Sequence, residues 1–142
     1  MLEILGALAA ISLGIFAGAQ LAEACVLVPF WRRLSATEFF SLHHAMGPIL
    51  FRFFAPVTAV AVLLALASAF FTPDNLWSVS GAALSLMALV MFFAYFKSAN
   101  AAFAERSITD EELHGELARW AKWHLVRTTI VIGAFTSSII AL

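Results

Sequence analysis

Charge is what this sequence has least of. Only 12% of its 142 residues are Asp, Glu, Lys or Arg, about half the usual share in a soluble domain. With 63% apolar residues and a mean hydropathy of +0.95, such a chain cannot solvate its own surface, so it reads as an integral membrane protein. Cysteine is nearly missing too. Cys25 alone excludes an intrachain disulfide framework and a multi-cysteine zinc site. No run of five basic residues occurs and the net charge is -1, which argues against nucleic acid as a partner. A glycine-rich phosphate loop, a Ser-His-Asp arrangement, low-complexity segments and internal repeats are also missing. The length allows about four spans of roughly 20 residues, which excludes a transporter built of inverted repeats and an appended soluble enzyme domain.

What is present is four apolar stretches, Ile4 to Phe30, Phe53 to Phe71, Leu76 to Phe96 and Leu125 to Leu142. The expected fold is all-α: one four-helix transmembrane bundle over residues 1–142, with spans near 4–30, 53–71, 76–96 and 123–142. The first span ends like a signal peptide at Ala17-Gly18-Ala19, but Glu3 stands where a leader carries Lys or Arg, so it reads as retained. Thr72-Pro73-Asp74-Asn75 is a tight turn joining spans two and three as an antiparallel hairpin. All eight Lys and Arg flank the first and third connections, and the other side holds only Glu3 and Asp74. By the positive-inside rule both termini are expected to be extracytoplasmic, in an inner or plasma membrane. Trp31, Trp120 and Trp123 mark the cytoplasmic aromatic belt and Trp77 the outer one.

Ser35-Ala36-Thr37-Glu38 and Thr109-Asp110-Glu111-Glu112 have the spacing of reciprocal helix caps. The first predicts a connecting helix that stops near Met46, where Gly47-Pro48 should break it. The second predicts a helix running straight into span four. Pro56 deprives the Arg52 carbonyl of its amide partner, which predicts a kink and a free carbonyl there.

Charges inside a bilayer cost about 2.5 to 3.5 kcal/mol on insertion scales, so they mark candidate sites. Glu23 lies in the stripe Phe16, Gln20, Glu23, Leu27 on one helical face. It is either a functional carboxyl or half of a structural ion pair, with Arg52 and Arg127 as candidate partners. Snorkelling to the headgroups is the alternative for both arginines. Trp120, His124 and Arg127 share a face of span four. His43 and His44 point about 100° apart, so at most one faces the bundle. With Asn100 at the end of span three, these residues are expected to converge beneath the cytoplasmic headgroups, around an apolar pocket lined by His124, Glu23 and Asn100 and walled by Trp120 and Phe side chains.

Two His and one carboxylate can hold non-haem iron, but the spacing gives that no direct support. Glu111-x-x-His114 lacks the second copy that a di-iron bundle needs, and no His lies at mid-membrane depth for a haem. No metal site is assigned. Gly6, Ala10, Gly14, Gly18 and Ala22 form a small-residue ladder, for packing inside the bundle or for a homodimer. Met87, Met91, Phe92, Phe93 and Phe96 read as core or lipid-facing residues.

Over most of its length the sequence resembles the anthrone oxygenase-like family of small four-helix membrane proteins, a family long of unknown function. The resemblance rests on Gly18-Ala19, Pro29-Phe30-Trp31, Phe39 to Pro56, Asn100, and above all the run Arg119-Trp120-Ala121-Lys122-Trp123-His124-Leu125-Val126-Arg127-Thr128. It implies oxidation of polycyclic anthrones to quinones by oxygen without a dedicated cofactor. In that chemistry Glu23 or His124 would take a proton, and Asn100, Arg127, Arg52, Trp120, His43 and His44 would hold the substrate.

Two functions from different classes remain open. One is a small oxidoreductase acting on a lipid-soluble aromatic or quinone-like molecule at the cytoplasmic leaflet. The other is a non-catalytic subunit packed against a larger membrane complex. The expected partners are membrane lipid and either a second copy or a larger assembly.

Overall fold

A computed structural model describes all of residues 1–142. The chain is all-helical, with four helices long and apolar enough to cross a membrane: α1 (Leu2–Trp31), α2 (Ala36–Phe71), α3 (Leu76–Ala104) and α4 (Asp110–Ile140). They pack as a ring in which α1 touches α2 and α4, and α3 touches the same two from the opposite corner. Each helix thus lies antiparallel to its ring neighbours, as short connections require.

The connections are shorter than the charge pattern suggests, because the helices extend into them. The α2 helix is 36 residues long, roughly 54 Å at 1.5 Å per residue, well beyond a 30 Å hydrocarbon core. It runs unbroken through Gly47, Pro48 and Pro56, against the expected stop near Met46 and the separate span beginning at 53. Proline at 48 costs the helix one main-chain hydrogen bond, from the His44 carbonyl. A break there would expose about four amides and four carbonyls in or beside hydrocarbon, where each unsatisfied group is far more costly. Continuity is the cheaper solution.

Both capping boxes form. The Ser35 hydroxyl accepts from the Glu38 amide while the Glu38 carboxylate accepts from the Ser35 amide at 2.9 Å. Thr109 and Glu112 repeat this at the start of α4, which runs uninterrupted to Ile140. These hydrogen bonds hold both exposed carboxyls below the ordinary carboxylate range. A group whose folded pKa is depressed stabilises the fold above its unfolded pKa and loses that contribution as pH falls through the folded one. Acidification through and below the ordinary carboxylate range should therefore fray the first turns of α2 and α4. Amide exchange at Glu38 and Glu112 should quicken in acid, and a Ser35→Ala/Thr109→Ala variant, frayed already, should show a much flatter pH response.

Two apolar clusters fill the bundle. The first, around Leu13, Phe16, Ala61, Ala65, Val131 and Ala134, occupies the half nearer the 72–75 turn. The second, around Trp31, Phe39, Phe40, Phe96, Phe103, Leu113 and Trp120, occupies the charged end. Small residues bring helices together in the first half. A Cβ at Gly14 would meet the Phe135 ring at 3.0 Å, and one at Gly81 would meet the Ala134 carbonyl oxygen at 3.2 Å. The ladder on α1 is therefore split: Gly6, Ala10 and Gly14 pack within the bundle, and Gly18 and Ala22 face outward.

Two helices leave α geometry for one turn. Glu23–Leu27 in α1 and Phe92–Phe96 in α3 are π-helical, a distortion that recurs at functional sites. Both segments lie at the junction of the two apolar clusters.

A closed polar network where α1, α3 and α4 meet

The i, i+4, i+7 spacing of Trp120, His124 and Arg127 aims all three into the bundle, and all three are buried. Gln20 and Glu23 come to meet them from the last regular turn of α1, just where it widens. The Glu23 amide there reaches both the Ala19 and the Gln20 carbonyls. His124, fully buried, brings Nε2 to 3.2 Å from the Gln20 carbonyl oxygen and 3.6 Å from Glu23 Oε2. Arg127 donates from Nε to Gln20 Oε1 at 3.2 Å and from Nη2 to His124 Nδ1 at 3.3 Å. Its guanidinium lies 4.0 Å from the centre of the Phe96 ring, in the π-helical turn of α3.

These contacts fix the histidine. Arginine can only donate, so Nδ1 must be the acceptor and the ring proton sits on Nε2, directed at the Gln20 carbonyl and the Glu23 carboxylate. His124 thus separates Arg127, on its Nδ1 side, from Glu23, on its Nε2 side. At 3.6 Å the Glu23 contact is an electrostatic approach rather than a hydrogen bond.

An aromatic layer underlies the network. Trp120 stacks on His124 with centroids 4.9 Å apart and planes 15° apart, and it meets Trp31 and Phe96 edge-on. Its indole donates to Asn100 Oδ1 at 2.9 Å. Asn100 therefore anchors the aromatic layer instead of facing Glu23 and His124, as had been expected, because the indole uses its carbonyl.

Three further expectations about the cluster are not met, those for Arg52, for a histidine of the 43–44 pair and for the pocket, although at most one of that pair faces the bundle as its spacing requires. Arg52 is exposed and has no hydrogen-bond partner in the bundle; the inward face of α2 runs through Leu50, Phe54, Val57 and Ala61, and residue 52 falls opposite it. His44 is exposed as well. His43 does turn inward, but to a separate layer, between Phe39 and Phe103 with centroids 5.5 Å from each. The cavities lined by Trp31, Phe39 and His43 and by Phe30, Thr37 and Glu38 lie away from Glu23 and His124, so neither is the pocket expected beside them. Phe96 and Trp120 pack directly against the His124 ring there. No three His, Cys, Asp or Glu side chains gather within reach of one metal ion.

Gln20 and Phe96 belong to the network but were not among the sequence candidates. Gln20 carried a usable signal, a polar residue one turn from Glu23 in a lipid-embedded helix. Phe96 carried none, since its role depends on the π-helical turn that rotates it under Arg127.

No curated protein and no solved structure matches the chain. Residues 36–137, which include Asn100, Trp120, His124 and Arg127 and begin after α1, match the family model described as anthrone oxygenase, and over so much of its length the chain belongs to that family.

Proposed function

We propose that the protein is a small membrane oxidoreductase that oxidises a lipid-soluble aromatic, of anthrone type, at the cytoplasmic leaflet. The observation that carries this reading is the family match through His124 and Arg127, the two residues that hold an Nε2–H beside the Glu23 carboxylate. An anthrone methylene, flanked by two rings and conjugated to a ketone, is acidic enough for a carboxylate in a water-poor site to take its proton. The carbanion passes an electron to oxygen, carbon and the resulting superoxide join as a peroxide, the proton held by Glu23 goes to the outer peroxide oxygen, and the hydroperoxide becomes a ketone by losing water. In sum, CH2 and O2 become C=O and H2O.

Glu23 is the base in this scheme. The His124 lone pair is occupied by Arg127, which makes His124 a positioning residue and a donor toward developing negative charge. The Trp120 and Phe96 rings packed against His124 favour a second reading, a non-catalytic subunit in which the network only ties α1, α3 and α4 together.

One experiment separates the two. The purified protein in lipid nanodiscs, given anthrone under air, should consume one oxygen per quinone formed. A rate no higher than that of empty discs would dismiss the oxidoreductase in favour of the subunit.

The leaflet assignment follows the distribution of Lys and Arg. In a Cys25→Ser background, a cysteine at Asp74 should react with an impermeant maleimide added outside intact cells, and one at Ser35 only after lysis. The reverse labelling would place the site at the outer leaflet.

A further inference from the structure

The π-helical turn of α1 packs on α4, and beyond it, toward the charged end, Trp31 of α1 meets α2 along a seam. A cavity lies in that seam. Its walls are Trp31 from α1 and Phe39, Leu42, His43, Met46, Gly47 and Leu50 from α2. Apart from the edge of His43 the lining is apolar. His43 Nδ1 is buried without a partner, a condition that costs about 1–3 kcal/mol unless something binds it. The same ring's Nε2 also lacks a hydrogen bond but keeps contact with the surface, where water can satisfy it. A neutral imidazole with its proton on that wetted nitrogen leaves a bare lone pair on the buried Nδ1, beside Gly47 of the cavity wall.

We infer that this seam is the recognition subsite for a flat aromatic bearing a ring hydroxyl, with His43 Nδ1 accepting the hydroxyl proton and Trp31 forming one wall. The inference rests on the function proposed above and names the feature of the substrate that the protein reads. Trp31 touches Trp120, and Trp120 stacks on His124, so an occupant of the seam adjoins the layer beneath the network.

The cavity is nearly closed. Its volume of about 10 Å³ suits one hydroxyl or one water and no ring. Its wall is the part of the bundle best able to yield. Met46 is unbranched and half-buried, Gly47 has no side chain, and Pro48 leaves the His44 carbonyl without a helical partner. Ring entry by rotation of Met46 and slight bending of α2 needs no movement of the His124 network.

The test compares 1-naphthol with naphthalene, which has the same rings and no hydroxyl, by quenching of tryptophan fluorescence in nanodiscs, corrected for uptake into empty discs. The wild-type protein should bind 1-naphthol about fivefold more tightly than naphthalene, the gain of roughly one hydrogen bond. His43→Phe keeps the aromatic packing and should abolish the preference. His43→Asn returns a polar atom to the same position on Cγ and should restore it, and Trp31→Phe should remove most of the signal. Equal affinity for the two probes, a preference that survives in His43→Phe, or binding of neither probe would overturn the subsite, the last leaving a water-only cavity. Binding is read without turnover, so the two proposals can fail separately. Hydroxyl-selective binding without oxygen uptake would remove the oxidation and keep the subsite. Oxygen uptake with a KM for a hydroxylated anthrone unchanged in His43→Phe would do the opposite.

Discussion

Glu23→Gln is expected to lower kcat/KM for anthrone oxidation by about 10² to 10⁴, the range over which a positioned general base acts. The replacement has the same shape, so it leaves the packing on α4 in place and removes only the ability to take a proton. His124→Gln is expected to cost far less, about fivefold, because the imidazole has no free lone pair to lose. Its Nδ1 accepts from Arg127 and its Nε2–H faces the Gln20 carbonyl and Glu23. The order of the two effects is what the geometry decides. If His124→Gln abolished turnover while Glu23→Gln kept it, the base would have to be the histidine, and the Arg127 contact would have to break during catalysis. Oxygen consumption and quinone absorbance, followed together in nanodiscs, measure both variants.

The parts of this molecule that were legible in sequence are those governed by local rules. Apolar run length placed four helices, the Ser35–Glu38 and Thr109–Glu112 spacings placed two helix starts, and the 3.6-residue period put Glu23 and His124 on inward faces. What escaped depends on relations between helices. Gly47-Pro48 reads as a break under rules for water, but beside a membrane the helix persists because its alternatives expose more backbone. Arg52 looked like a partner for Glu23 because it stood near the right depth, yet its helical phase turns it outward. Asn100 sits at the right end of α3, but its carbonyl meets the Trp120 indole first. The two π-helical turns have no sequence signature of their own, and they decide that Gln20 offers a backbone and a side-chain oxygen to α4 while Phe96 slides beneath the guanidinium. The family pattern covers only half of this meeting. Its match begins at residue 36, so His124 and Arg127 lie within it, and Gln20 and Glu23 are supplied by a helix outside it.

Arg127→Met is expected to destabilise the bundle by about 3–5 kcal/mol, the usual cost of leaving a buried charge uncompensated. Methionine fills much of the arginine's volume over Phe96, so lost packing is the smaller part. The larger part is what remains behind: Gln20 Oε1 and His124 Nδ1 lose their donor, and the Glu23 carboxyl keeps its place in the core without an opposite charge. Against a total stability on the order of 5–15 kcal/mol, such a loss should be plain in unfolding by SDS followed through helicity. Arg52→Met is the control, since an exposed arginine at that depth should change stability by no more than about 0.5 kcal/mol. The same logic fixes the sign of a second substitution. Adding Glu23→Gln to Arg127→Met removes the stranded carboxyl, so the double variant should be more stable than Arg127→Met alone, a coupling that a double-mutant cycle reads directly. Additive losses, or an Arg127→Met variant no weaker than Arg52→Met, would mean that Arg127 and Glu23 do not share one electrostatic network and that His124 does not bridge them.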